Sequence, residues 1–171
     1  NNAELTGFFS TSSNTFKITY GSGYFHGWLD KFGFQDGNDL TVYGSNYGRE
    51  IRLQNTSELG KVTTHGGTGN DLIIIYDRTS EVDIVYAGNG DDEIRISPNF
   101  VIDTLDGGAG TDTLNIAYNS YTLSDFSIAV ANDFYTLTDP NGKIISYKNI
   151  YSVFEWRRHK RILPSQSTHN N

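Results

Sequence analysis

Three carboxylates stand at nearly equal intervals, each closing a run of small residues. They are Asp71 in Gly66-Gly67-Thr68-Gly69-Asn70-Asp71, Asp92 in Ala87-Gly88-Asn89-Gly90-Asp91-Asp92, and Asp112 in Gly107-Gly108-Ala109-Gly110-Thr111-Asp112. The spacings, 71 to 92 and 92 to 112, are 21 and 20 residues. Glycine admits left-handed backbone that turns carbonyls toward one point, and a neighbouring Asp reaches the same point. An all-oxygen donor set of this kind suits a hard divalent cation with about 6–8 ligands. One copy alone reads better as an ordinary Gly/Asp turn; three copies in phase favour the cation. A weaker copy ends at Glu50, which could join the turn at 66 to 71 around a further ion, although Arg49 beside it counts against this.

Halfway between these turns lie Asp39, Lys61, Asp83 and Asp103, each followed by apolar residues. Asp83 and Asp103 are a second candidate pair, whereas a lysine ammonium at the equivalent position one repeat earlier replaces a cation electrostatically. Other chemistry is thin. The histidines are His26, His65, His159 and His169, and no Gly-x-Ser-x-Gly or His-Glu-x-x-His motif accompanies them. The pairs Asp91/Asp92 and Asp103/Asp106 could suggest glycosidase carboxylates, but they fall in or beside the repeats, where cation binding is the simpler account. Gly21-Ser22-Gly23 lacks the Gly-Lys-Ser/Thr of a phosphate cradle. No enzymatic activity is expected.

The elements that must position these residues are strands. Short runs rich in Ile, Val, Leu, Tyr and Thr, such as Leu72 to Tyr76, Ile84 to Tyr86 and Glu93 to Ile96, alternate with Gly, Asn, Asp and Ser. Helical periodicity is absent except for a short helix allowed around Tyr24 to Lys31. A repeat near 20 residues carrying two strand signals predicts stacked units that bury a shared core.

The three hexapeptides with the residues that follow them, Leu72-Ile73-Ile74, Glu93-Ile94-Arg95 and Thr113-Leu114-Asn115, resemble the G-G-x-G-x-D-x-U-x nonapeptide of RTX proteins, the calcium-binding repeats of type I-secreted bacterial proteins. The resemblance implies an all-β parallel β-roll, or β-helix solenoid, with calcium held between Gly/Asp-rich turns of successive coils. It implies as ligands Asp71, Asp92 and Asp112, backbone groups of Gly66, Thr68, Asn70, Ala87, Asn89, Gly107, Ala109 and Thr111, and also Asp91, Asp83 and Asp103. Tyr121 to Ile128, Phe134 to Lys143 and Asn149 to Phe154 resemble the antiparallel strands that follow the last repeat in such proteins, with Asp139-Pro140-Asn141-Gly142 as a hairpin turn.

Four regions result: 1–35, an N-terminal cap or irregular first coils; 36–115, the repeats; 116–156, a C-terminal β cap; and 157–171, a polar tail with the basic cluster Arg157-Arg158-His159-Lys160-Arg161. The expected function is a non-enzymatic calcium-binding module of a secreted or cell-surface bacterial protein, folding on extracellular calcium and supporting secretion or adhesion. The alternative is a carbohydrate-binding accessory module, with Trp28, Tyr43 and Tyr47 as a stacking platform. An ice-binding solenoid would need a ladder of identical small residues, which Asp39, Lys61, Asp83 and Asp103 do not form.

Composition agrees. The 171 residues contain 18 Gly, 11 Tyr and 10 Phe but no Cys or Met, which excludes disulfides, thiolate metal sites and a cysteine nucleophile. Twenty acidic against 13 basic residues, a formal charge of -7, disfavour nucleic acid and favour cations. No run is long and apolar enough for a membrane span. The start at Asn1-Asn2-Ala3-Glu4, without Met, reads as part of a larger polypeptide.

Overall fold

The computed structural model describes residues 6–8, 15–19, 25–28, 38–44, 48, 50–54, 59–76, 83–96, 102–117, 121, 125–155 and 160–161. Side-chain surroundings are described for 41–44, 48, 50–51, 61–75, 83–96, 102, 104–117, 121 and 125–154. The described chain is mostly β-strand, without a helix, and its strands form two parallel-rich sheets.

The first sheet contains β1 (Thr6–Phe8), β2 (Thr15–Thr19), β4 (Asn38–Tyr43), β6 (Leu59–Gly67), β8 (Asp83–Asn89) and β10 (Ile102–Ala109), then β14 (Ile144–Lys148), β13 (Phe134–Thr138) and β12 (Ser127–Ala131) in that spatial order. The second contains β3 (Phe25–Trp28), β5 (Glu50–Gln54), β7 (Leu72–Tyr76), β9 (Glu93–Ile96), β11 (Thr113–Ile116), β15 (Ser152–Glu155) and β16 (Lys160–Arg161). From β2 to β11 consecutive strands alternate between the sheets, and neighbours within each sheet are parallel.

Period-two side-chain alternation explains the core. In β8, Asp83, Val85 and Ala87 are buried while Tyr86 is exposed; in β9 and β11, Ile94, Ile96, Leu114 and Ile116 are buried. Parallel register then stacks like on like: Ile51, Ile73, Ile94, Leu114 and Val153 form one row, and Val42, Thr64, Val85, Leu105 and Tyr147 form another. All ten are buried. β-Branched side chains fit such a pleated row without losing further rotamer freedom.

Two features differ from the sequence reading. The segment within Tyr24 to Lys31 that is described is a strand, β3, paired in parallel with β5 from Phe25↔Ile51 to Trp28↔Gln54. Gly27 in its middle and its aromatic neighbours weaken a helix, and the sheet partner decides the matter. The region after the repeats is only partly antiparallel. β12–β13 and β13–β14 are antiparallel, but β14 and β15 extend the sheets in parallel beside β10 and β11. Asn149, at φ 53, makes the connecting turn without glycine, because Asn tolerates the left-handed region. Much of the tail 157–171, together with 77–82 and 97–101, lies outside the described residues.

Candidate functional site

Each Gly-rich hexapeptide crosses from the end of a first-sheet strand to the start of a second-sheet strand, so the three lie one above another along one edge. Gly67 is paired with Gly88, Gly88 with Gly108, and Asn89 with Ala109. The glycines are obligatory here for space as well as conformation. A Cβ on Gly88 (φ +116) would stand 2.1 Å from Gly67 O, and one on Gly108 (φ +90) 1.9 Å from Gly88 O. Nothing larger than hydrogen lets the turns approach this closely.

Two ladders of side-chain hydrogen bonds run across the stacked turns. In the inner ladder the Asp71 N–H donates to Asp92 Oδ1 at 2.7 Å, and the Asp92 N–H donates to Asp112 Oδ1 at 2.9 Å. In the outer ladder the Asp91 N–H donates to Asn70 Oδ1 at 2.9 Å, and the Thr111 N–H donates to Asp91 Oδ1 at 2.8 Å. Main-chain bonds complete the stack: Glu93 N–H to Asp71 O, and Thr113 N–H to Asp92 O, each 2.8 Å. The next storey is closed by Tyr151 and Ser152, whose N–H groups both donate to Asp112 O.

The inner carboxylates are the unusual element. Asp71, Asp92 and Asp112 are all buried, at 3%, 2% and 0% exposure. Asp92 Oδ2 and Asp112 Oδ2 are themselves buried and accept no hydrogen bond among the described residues. A Cβ on Gly107 would lie 2.6 Å from Asp112 Oδ2, so that oxygen rests against the first glycine of its own turn. Burial raises the Asp112 carboxyl to about 7, overcoming the opposing bond from the Asp92 N–H and aided by the charges of Asp92, Asp91 and Asp106. Asp92 is raised for the same leading reason. Leaving buried acceptors unmatched is costly, and an adjacent cation is one way to remove that cost.

The other sequence-nominated residues fall as follows. Thr68, Asn89, Ala109, Thr111 and Asp91 are exposed on the turns, and Gly66, Ala87 and Gly107 are buried beneath them. Glu50 pairs with Leu72, one residue past Asp71, and so belongs to the outward row. On the opposite edge Asp83 is buried and its Oδ1 accepts from the Val62 N–H at 3.0 Å. Val62, not Lys61, therefore precedes Asp83; Lys61 is exposed. The spacing between those strands is 21 residues, whereas Lys61 stands 22 before Asp83, a one-residue shift that composition does not show. Asp83 pairs with Ile102, and a register irregularity falls at Asp103, so the two acids do not face each other in register. The Asp103 side chain lies outside the described residues, as do the Trp28 side chain and all of Tyr47. Tyr43 stacks on His65 at 4.6 Å between centroids, and His65 on Tyr86 at 5.1 Å, a row that sequence reasoning missed. The signal was present as the in-register position of the three, visible only once the strand spacings were fixed.

Among the described residues no three His, Asp or Glu side chains converge as a metal-holding group. Any cation at the Gly-rich edge would therefore combine one or two carboxylates with carbonyls. No helix among the described residues is long and apolar enough to cross a membrane. No protein-family model matches the chain, and no curated protein matches it.

Proposed function

We propose that this chain is a calcium-binding parallel β-roll, a non-enzymatic module of a secreted or cell-surface bacterial protein whose folding is coupled to calcium. The observation that carries the reading is the row of buried carboxylates in which Asp92 and Asp112 each commit one oxygen to a backbone N–H and leave the other without a hydrogen bond among the described residues. Alternation of strands β2 to β11 between two parallel-rich sheets supports the roll. The donors are oxygens on glycine turns, which is the chemistry calcium selects.

Asp71, Asp92 and Asp112, with carbonyls of the turns 66–71, 87–92 and 107–112, would hold the ions. Calcium supplies positive charge to carboxylates that burial otherwise disfavours. The residues themselves fix the spacing of the turns through the inner and outer ladders. A ligand that binds only the folded chain stabilises it by mass action, and weak sites of about 10⁻⁴ to 10⁻³ M suffice where extracellular calcium is high. Calorimetric titration of the wild type and of Asp92→Asn tests this: heat of binding with calcium and its loss in the variant are expected. Equal calcium binding by the two proteins refutes the assignment.

A further inference from the structure

A cleft of about 420 Å³ spans two of the Gly-rich turns and the outward face of the second sheet, lined by Asp91, Asp92, Glu93, Thr111, Thr113, Asn115 and Phe154. Register builds it. Glu93 lies beside Thr113, and one step along the strands Arg95, Asn115 and Phe154 form the next row. Three strands thus bring a carboxylate, a hydroxyl, an amide and an aromatic ring to one surface, about 4.8 Å apart across strands and about 6.7 Å along them.

The polar groups are pre-organised. Glu93 Oε1 accepts from Arg95 Nε at 2.6 Å and from Asn115 Nδ2 at 2.5 Å, and Glu93 Oε2 accepts from Arg95 Nη2 at 2.9 Å. With both oxygens occupied and its charge balanced by Arg95, Glu93 is unsuited to hold a metal. Instead the pair fixes the Asn115 amide in one orientation. Asp91, bonded to the Thr111 N–H, leaves the rim net acidic.

We propose that this cleft binds a short stretch of a neutral or amino glycan, two or three pyranose units long. The inference goes beyond calcium binding; the contacts proposed for the ligand lie on the outer face of the sheet at Glu93, Thr113, Asn115 and Phe154, beside Asp92 of the buried row. A pyranose has an apolar face and a polar rim of hydroxyls, which match a ring such as Phe154 beside fixed amide, hydroxyl and carboxylate groups. The volume falls in the range of small-molecule sites. The charge of Asp91 at the rim, which is neither paired with Arg95 nor among the carboxylates proposed to hold calcium, disfavours uronates, phosphates and sulfates and tolerates an ammonium.

The test is a titration of triacetylchitotriose, chitosan trimer, cellotriose and trigalacturonate into the full chain in saturating calcium, followed by amide NMR. Binding of at least one of the first three is expected, with shifts centred on Glu93, Thr113, Asn115 and Phe154. Phe154→Ala should weaken it roughly fivefold to tenfold, and Asn115→Ala by about fivefold, with unchanged circular dichroism. If a variant fails to fold, the wild-type shift map decides the matter. Silence toward all three neutral and amino sugars, shifts mapped elsewhere, a preference for trigalacturonate, or unchanged affinity in both folded variants each overturns the proposal.

Discussion

Replacing Asp112 by Asn separates the cost of burying its charge from the value of its hydrogen bond. The amide keeps an oxygen to accept from the Asp92 N–H and keeps the shape, while removing the ionisable group. Folding raises this carboxyl from 3.8 to about 7, chiefly through burial. Because the folded-state value lies above the unfolded one, folding favours the protonated form. The associated stability is complete below 3.8 and is lost as pH rises through about 7. At about 1.4 kcal/mol per tenfold, the ionised group opposes folding at pH 8 by at most ~4 kcal/mol. Relaxation of the turn and water entry in the metal-free chain reduce the expected figure to roughly 2 kcal/mol.

In chelator, with trimethylamine oxide drawing the metal-free chain into its folded form, wild-type stability should therefore fall between pH 5 and pH 8. Asp112→Asn should lose much of that slope and fold at lower osmolyte concentration at pH 8. In calcium the order should invert, the wild type being stabilised as pH rises and the variant less so. Circular dichroism followed against osmolyte reads both arms. A variant less stable than the wild type in chelator at pH 8, or a wild type that gains stability toward pH 8 without calcium, refutes the argument.

Other expectations follow from the same packing. Gly108→Ala, at φ +90 with a Cβ 1.9 Å from Gly88 O, should cost about 3 kcal/mol or more by forcing the turns apart, read as a lowered melting temperature in calcium. Ile94→Ala, in the middle of the row Ile73–Ile94–Leu114, should cost about 2–5 kcal/mol in urea unfolding; a loss below about 1 kcal/mol contradicts its placement in the core. Thr64→Val should stabilise by about 1 kcal/mol, because Thr64 Oγ1 is buried without a hydrogen bond among the described residues. Tyr147→Phe should be neutral or stabilising for the same reason at its hydroxyl, and a marked destabilisation would reveal a hydrogen-bond partner.

The sequence made the Gly-rich edge legible because its signal is local: glycines and an Asp at fixed offsets within each hexapeptide. The strands after each turn were equally plain, since Leu72 to Tyr76 and Glu93 to Ile96 carry β-branched residues in short runs. What it did not show were registers between repeats. Counting residues puts Lys61 level with Asp83 and Glu50 level with Asp71, because it cannot detect a one-residue change in turn length, which moves a side chain to the other face. The parallel placement of β14 and β15 was missed because Asn149 turns the chain without the glycine motif. The cleft at Glu93, Asn115 and Phe154 joins residues far apart in the chain, and only the sheet brings them together.

Cations at the Gly-rich edge are proposed to complete the fold. Far-UV circular dichroism of the chain in chelator, then with increasing calcium and with magnesium as control, tests it most directly. Weak β signal in chelator and a cooperative gain with calcium, but not with magnesium, are expected. A full β signal in chelator that calcium leaves unchanged would contradict it.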